Sequence, residues 1–149
     1  MNFMPFSISL LPKIEFGCGV VHKVPALAAS YGRRVLLVTG GQSLRASHHW
    51  AKLVLGLRQA GLSWETLQIT CEPSPQLVDD AVQQFRSANI DVVVGIGGGS
   101  VMDAAKAIAG LLQLDHSVMD YLEGAIDPVQ TATSGCTIGC NAAFAVIPG

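Results

Sequence analysis

The stretch Val92-Val-Val-Gly-Ile-Gly-Gly-Gly-Ser-Val-Met-Asp-Ala-Ala-Lys-Ala-Ile-Ala109 decides how this 149-residue chain folds. Its β-branched, apolar start suits a strand covered on both faces. Three glycines then break the run, and the alanine-rich remainder has the period of an amphipathic helix. The order is strand, tight turn, helix. Lacking a Cβ, Gly97, Gly98 and Gly99 can take positive φ and lie against a ligand that side chains would push away. The spacing makes Ser100 the expected helix cap. A helix entered this way aims unpaired N–H groups and its positive dipole end at the space over the turn, which suits a phosphate or pyrophosphate. A purely structural reading stands beside this one, in which the glycines make a tight turn and Ser100 with Asp103 forms a capping box. Lys106, on the same helical face as Asp103, is not something a capping box requires. The stretch is neither G-x-G-x-x-G nor G-x-x-x-x-G-K-[ST], so it cannot be read by analogy with either phosphate-binding motif.

Outward from this stretch, strand and helix patterns alternate. Ile14 to Phe16 reads as a short strand, and Val20 to Tyr31 as a helix with Val21, Val24, Leu27 and Ala28 at helical spacing, ended by Gly32. Arg34-Val-Leu-Leu-Val-Thr39 is a continuous apolar run of the kind found in buried parallel strands. A second glycine turn, Gly40-Gly-Gln-Ser-Leu-Arg45, leads to a helix from about Ser47 to Ala60, with Trp50, Leu53, Val54 and Leu57 on one face and Gly61 as its C-terminal cap. Ser63 to Ile69 is expected to be a strand and Pro75 to Ala88 a helix with Leu77, Val78, Ala81, Val82 and Phe85 inward. Such alternation predicts an α/β fold, a Rossmann-like parallel sheet flanked by helices with ligands at the carboxyl ends of its strands. Both glycine turns fall at such ends.

Composition narrows the functional classes. Half of the residues are hydrophobic and 13% are charged, with mean hydropathy +0.43, so part of the surface is expected to meet a partner domain or subunit. A homo-oligomer is the expected assembly. A net charge of −2 without any basic cluster argues against nucleic acid. The first twelve residues lack the charged start of a signal peptide, and no apolar run is long enough to span a bilayer, so no membrane role is expected. Cys18, Cys71, Cys136 and Cys140 suit a reduced fold, and the cytoplasm is the expected compartment. The Cys136-x-x-x-Cys140 spacing, the neighbouring His48 and His49, and the solitary His22 and His116 do not make metal sites. Asp79-Asp80 is expected to sit where a helix dipole favours negative charge.

Gly97-Gly-Gly-Ser-Val-Met-Asp-Ala-Ala-Lys106 resembles the G-G-G-S-x-x-D-x-x-K signature of the iron-containing (group III) alcohol dehydrogenase family. Ile14-Glu-Phe-Gly-Cys-Gly19 resembles that family's opening strand and F-G-x-G turn, and Glu72-Pro-Ser-Pro75 its N-P-T segment. The resemblance runs from about Pro12 to about Gly124 and implies the nucleotide-binding half of the family. Residues 1–12 are then an N-terminal arm, and 13–149 a dinucleotide-binding α/β domain incomplete at its C-terminal end. Ser117 to Gly124 has the short helical look of the corresponding family segment, whereas 125–143 has no clear period. Phe144-Ala-Val-Ile-Pro148 resembles the strand that leads into the family's P-T-T-A-G-T-G-S-E motif. That motif and the helical metal-binding domain, with its Asp and His ligands, are expected to be absent from this chain.

The resemblance implies hydride transfer between NAD(P) and a small alcohol or aldehyde, assisted by iron or zinc in the full-length protein. Positional carry-over assigns no catalytic and no metal residue here. It gives Gly97, Gly98, Gly99 and Ser100 to the pyrophosphate, Asp103 and Lys106 to the nicotinamide side, and Gly40, Gly41 and Ser43 to the adenosine ribose. Many family members carry an Asp at the second turn, which would accept from a ribose 2′-hydroxyl and repel a 2′-phosphate. This chain has Thr39-Gly40-Gly41-Gln42-Ser43 with Arg45 close by, so NADP is expected in preference to NAD. A plain glycine-rich loop with a solvated Arg45 remains the alternative. A non-catalytic nucleotide-binding or interaction domain is the alternative for the chain as a whole.

Overall fold

The computed structural model describes residues 18–112, 114, 117–122 and the strand Ala142–Val146. The sequence-based strand at Ile14 to Phe16, the N-terminal arm, His116, Cys136, Cys140 and residues 125–141 lie outside the described residues. A 3-10 turn, Val20–Lys23, leads into α1 (Val24–Ala29), followed by β1 (Arg34–Thr39), α2 (Gln42–Arg45), α3 (His48–Gln59) and β2 (Ser63–Gln68). Then come α4 (Pro75–Phe85) with a 3-10 extension over Arg86–Ala88, β3 (Val92–Ile96), α5 (Gly99–Leu111), α6 (Val118–Leu122) and β4 (Ala142–Val146).

The four strands form one sheet in the order β2-β1-β3-β4, and every pairing is parallel. The chain steps from β1 outward to β2, then returns to the other side of β1 for β3. The sheet order therefore reverses between β1 and β3, and a crevice opens there at the carboxyl edge of such sheets. Thr39 lies opposite Ile96 in register, so the Gly40 and Gly97 turns leave the sheet side by side.

Alternation along the strands divides the core into two layers. Leu36, Val38 and Val93 pack with Val78, Ala81, Val82 and Phe85 of α4 and Val101, Ala104, Ala105 and Ile108 of α5. Val35, Leu37, Val92, Val94 and Ile96 pack on the opposite face with Val24 and Ala28 of α1 and Leu53 and Leu57 of α3. β3 is buried along its whole length, as its uninterrupted apolar run requires, whereas β2 is a half-exposed edge strand.

Local details differ from the sequence-based reading at four places. The helix expected from Val20 to Tyr31 is a 3-10 turn joined to a short α1, because Pro25 has no N–H to continue a ladder and is tolerated only in a first turn. The one-turn helix α2 occupies the loop between Gly41 and Ser47. The helix expected to reach Ala88 tightens to 3-10 geometry after Phe85. β4 begins at Ala142, two residues before the expected Phe144. Gly61 does end α3. It has φ +69°, with its N–H donating to Arg58 O and that of Leu62 to Leu57 O, which is a Schellman closure.

Candidate functional site

The candidate site lies at the carboxyl edge of β1 and β3, where both glycine turns end in helix N-termini. One side chain sits under both turns. An ideal Cβ on Gly97 would come 2.7 Å from Val101 Cγ2, and one on Gly40 would come 3.5 Å from the same atom. Val101, buried in the first turns of α5, thus requires a glycine at position 97 and brings the two turns close together.

The remaining glycines answer to a different demand. An ideal Cβ on Gly41, Gly98 or Gly99 meets nothing within 4 Å. Positive φ does not explain them either, which corrects the expectation from sequence: among the described glycines only Gly19 and Gly61 have it. Gly98 is extended, at φ −76° and ψ −172°, and Gly41 at φ −60° and ψ −169°, both conformations open to any residue. Neither backbone conformation nor packing within the protein calls for glycine at these positions. What their missing Cβ atoms leave is open space over the turns.

The helix start is also corrected. Ser100 is not the cap of α5: the cap is Gly98, whose carbonyl accepts from the N–H groups of Val101 and Met102 at 3.1 Å, with no side-chain cap bond. Extension at Gly98 starts the helix two residues early and places Ser100, exposed, within its first turn. No capping box forms, because Gly98 and not Ser100 holds the cap position; Asp103 faces Lys106, at 3.8 Å between Oδ1 and Nζ. Both side chains are more than half exposed, so their attraction adds little stability and leaves both reachable from solvent. Ser100, Asp103 and Lys106 follow one another down the exposed side of α5, whose other side carries Val101, Ala104, Ala105 and Ile108 into the core. α2 likewise begins on Gly41 without a side-chain cap, and Ser43 lies within its single turn.

Sequence reasoning did not single out one buried polar group at this edge. Thr39, the last residue of β1, has 0% exposure, and its hydroxyl has no hydrogen-bond partner. A polar residue ending an otherwise apolar strand just before a glycine turn was the available signal. Arg45 lies over the Trp50 ring, with its guanidinium carbon 5.6 Å from the centroid, so the cation near this turn is held by an aromatic shelf. The neighbouring loop is ordered by Ser74, whose hydroxyl accepts from Leu77 N–H at 3.2 Å and caps α4, with Pro75 in its first turn.

The acidic pair in α4 serves packing. Asp79 accepts from the Ser117 hydroxyl and, at 2.9 Å, from Val118 N–H, which ties the start of α6 to α4. Asp80 accepts from Gln76 at 2.8 Å. Neither lies in the first turn of α4, where the sequence-based reading had put their charge to use. Among the described residues no three His, Cys, Asp or Glu side chains gather as a metal site would need, and no helix is long and apolar enough to cross a membrane.

A sequence profile described as iron-containing alcohol dehydrogenase matches residues 12–140. The chain is 36% identical over 112 residues to a probable NADH-dependent butanol dehydrogenase 1 of Bacillus subtilis, covering 74% of this chain and 29% of that protein. It is 30% identical over 100 residues to an NADPH-dependent butanol dehydrogenase of Clostridium saccharobutylicum, covering 66% and 25%. The crystal structure of NADH-dependent butanol dehydrogenase A from Thermotoga maritima superposes with a TM-score of 0.75 at 29% identity, over 83% of this chain and 31% of that one. The chain thus spans about 30% of the length of such relatives.

Proposed function

The chain belongs to the iron-containing alcohol dehydrogenase family, and from that premise we propose that it forms the part of an oxidoreductase that holds a nicotinamide dinucleotide. The observation that carries this reading is the open cradle at Gly98 and Gly99, beside the Gly41 turn, where glycine serves no purpose internal to the protein. When bound, the nicotinamide would exchange a hydride with an alcohol or aldehyde. The chain's own residues bind and orient. In this reading Gly97, Gly98, Gly99 and Ser100 receive the pyrophosphate on the N-terminal N–H groups of α5. Gly40, Gly41 and Ser43 meet the adenosine ribose, and Asp103 and Lys106 flank the nicotinamide side. Relatives whose names specify butanol make a small primary alcohol or its aldehyde the proposed substrate class of the whole protein. The role proposed for this chain is dinucleotide binding. The exposed thiols of Cys18 and Cys71 are compatible with the cytoplasm, where we place it.

Relatives of this family are named for either NADH or NADPH. We infer NADP(H) for this chain from the Gly40–Gly41 turn. It presents no carboxylate to a 2′-phosphate, and Arg45 stands close by on its Trp50 shelf. Each charge-assisted hydrogen bond to that phosphate would add about 1.5–3 kcal/mol before desolvation. The test compares NADP and NAD by calorimetry in the chain and in Gly40→Asp. Tighter binding of NADP, with a shift of about tenfold toward NAD in the variant, is expected. Equal affinities in the unmutated chain, or no shift in the variant, would remove the 2′-phosphate from this turn.

A further inference from the structure

We propose that Thr39 is a positioning residue for the dinucleotide, its buried hydroxyl accepting a hydrogen bond from the Gly40–Gly41 turn only when the adenosine end of the ligand rests there. This role rests on the dinucleotide reading above. Residue and surroundings are mismatched at this position. Thr39 has 0% exposure, and it follows Val35-Leu-Leu-Val38, all fully buried. Alternation puts its side chain on the face of Val35 and Leu37, toward the apolar layer of α1 and α3. Valine has nearly the same shape and would fill that position without a stranded hydroxyl, whose Oγ1 has no partner here. For the free fold alone, threonine is the worse choice.

Main-chain bonding does not need the hydroxyl. Thr39 O accepts from Ile69 N–H at 2.8 Å, and the residue is held in register between Gln68 and Ile96, so the strand end is fixed without its side chain. Next along the chain come two glycines, free of side chains that would hold them in place, and α2, which starts without a side-chain cap. A hydroxyl can accept from an N–H of this turn and so brace it. The brace has value when a phosphate or ribose draws on the same turn from above. The unpaired state then belongs to the free chain and the paired state to the complex, which couples binding to the shape of the turn.

Thr39→Val and Thr39→Ser, measured for thermal unfolding without ligand and for NADP+ binding by calorimetry, separate this role from a structural one. The expected result for Thr39→Val is an unchanged or higher melting temperature together with NADP+ binding about fivefold weaker. Thr39→Ser, which keeps the hydroxyl, is expected to bind within about twofold of the unmutated chain. Unchanged binding in Thr39→Val overturns the proposal while leaving the dinucleotide site intact. A lower melting temperature of ligand-free Thr39→Val also overturns it, because the hydroxyl would then be paired before the ligand arrives. Equal weakening in both variants assigns the effect to shape and overturns it too. If the unmutated chain shows no saturable binding of NADP+ or NAD+, the dinucleotide reading fails and this inference fails with it.

Discussion

The two ends of the sheet use the same residue type for opposite purposes. At the amino edge, Gly32 is demanded by packing: a Cβ there would collide with Asp91 Cβ and stand 2.8 Å from its Oδ2. Asp91 fills that space because its Oδ2 accepts from Arg33 N–H at 2.8 Å and Arg34 N–H at 3.0 Å, closing the entrance to β1 with residues from the entrance to β3. At the carboxyl edge, Gly41, Gly98 and Gly99 border on open space, and two helices begin without side-chain caps. One edge has its polar groups satisfied from within. The other has two helix starts without side-chain caps and a buried Thr39 hydroxyl without a partner. A glycine therefore says little until its surroundings are known, and this contrast separates the edge that packing closes from the edge proposed for binding.

The largest effects should come from breaking the closed edge. Gly32→Ala forces Asp91 to move and strains both of its hydrogen bonds, at a cost of about 3 kcal/mol, whereas dinucleotide binding per folded molecule should not change. Urea unfolding followed alongside calorimetry checks both halves, and a loss of affinity without a loss of stability would reverse the assignment of the two edges. Acid offers a gentler break. The Arg33 and Arg34 N–H groups, with a smaller contribution from the Arg34 charge, hold the Asp91 carboxyl below its ordinary value of 3.8, outweighing an opposing effect of burial. A lowered folded pKa means that the stabilisation is fully present above 3.8 and is lost as pH falls through the lowered folded value. Urea midpoints should drop across that acidic window in the unmutated chain, and more shallowly in Asp91→Asn.

At the open edge the two quantities should separate in the other direction. Gly99→Ala replaces a glycine at the first position of α5, so the helix gains about 0.5–1 kcal/mol of intrinsic preference. The added Cβ meets no protein atom within 4 Å and instead enters the space proposed for the pyrophosphate. A chain that melts higher yet binds dinucleotide about tenfold more weakly is the expected outcome. Undiminished binding in this variant would mean that the cradle at Gly99 is not where the ligand lies.

How much of this could be read from the sequence depends on how far apart the interacting residues are. β1 and β3 were legible because an apolar run needs no partner to declare itself, and the glycine turns stood out at their ends. The helices were located to within a few residues by the period of Leu53 and Leu57 or of Val78, Ala81, Val82 and Phe85. The Asp91 clamp was not legible, since its partners Arg33 and Arg34 lie 58 and 57 residues away, and Asp79 is separated from Ser117 by 38. The same limit explains the misassigned cap of α5. Ser100 and Asp103 have the right spacing for a box, but the backbone conformation at Gly98, followed by Val101 packing under two turns, decides where the helix starts. In the candidate site, the glycines and the Ser100, Asp103 and Lys106 series were visible beforehand. The buried Thr39 hydroxyl and the Trp50 shelf under Arg45 needed the fold.

The smallest expected effect tests whether that shelf belongs to the open edge at all. Arg45 is exposed, and its stacking on Trp50 is worth about 0.5–1 kcal/mol at such a site, so Arg45→Ala should lower stability only slightly. Its effect on binding should be selective. A guanidinium positioned for a 2′-phosphate contributes to NADP and not to NAD, and at an exposed position screening reduces that contribution to about threefold in affinity at physiological salt. Raising the salt should shrink the difference between the unmutated chain and the Arg45→Ala variant. Arg45→Lys sharpens the point, because lysine keeps the charge but stacks less well and lacks the planar fork that holds a phosphate by two hydrogen bonds. An intermediate NADP affinity in Arg45→Lys, with NAD unaffected in both variants, would place the cation within the ribose end of the site. An equal loss for NAD and NADP would instead show Arg45 acting through the shape of α2, and the shelf would then belong with the structural contacts of the closed edge.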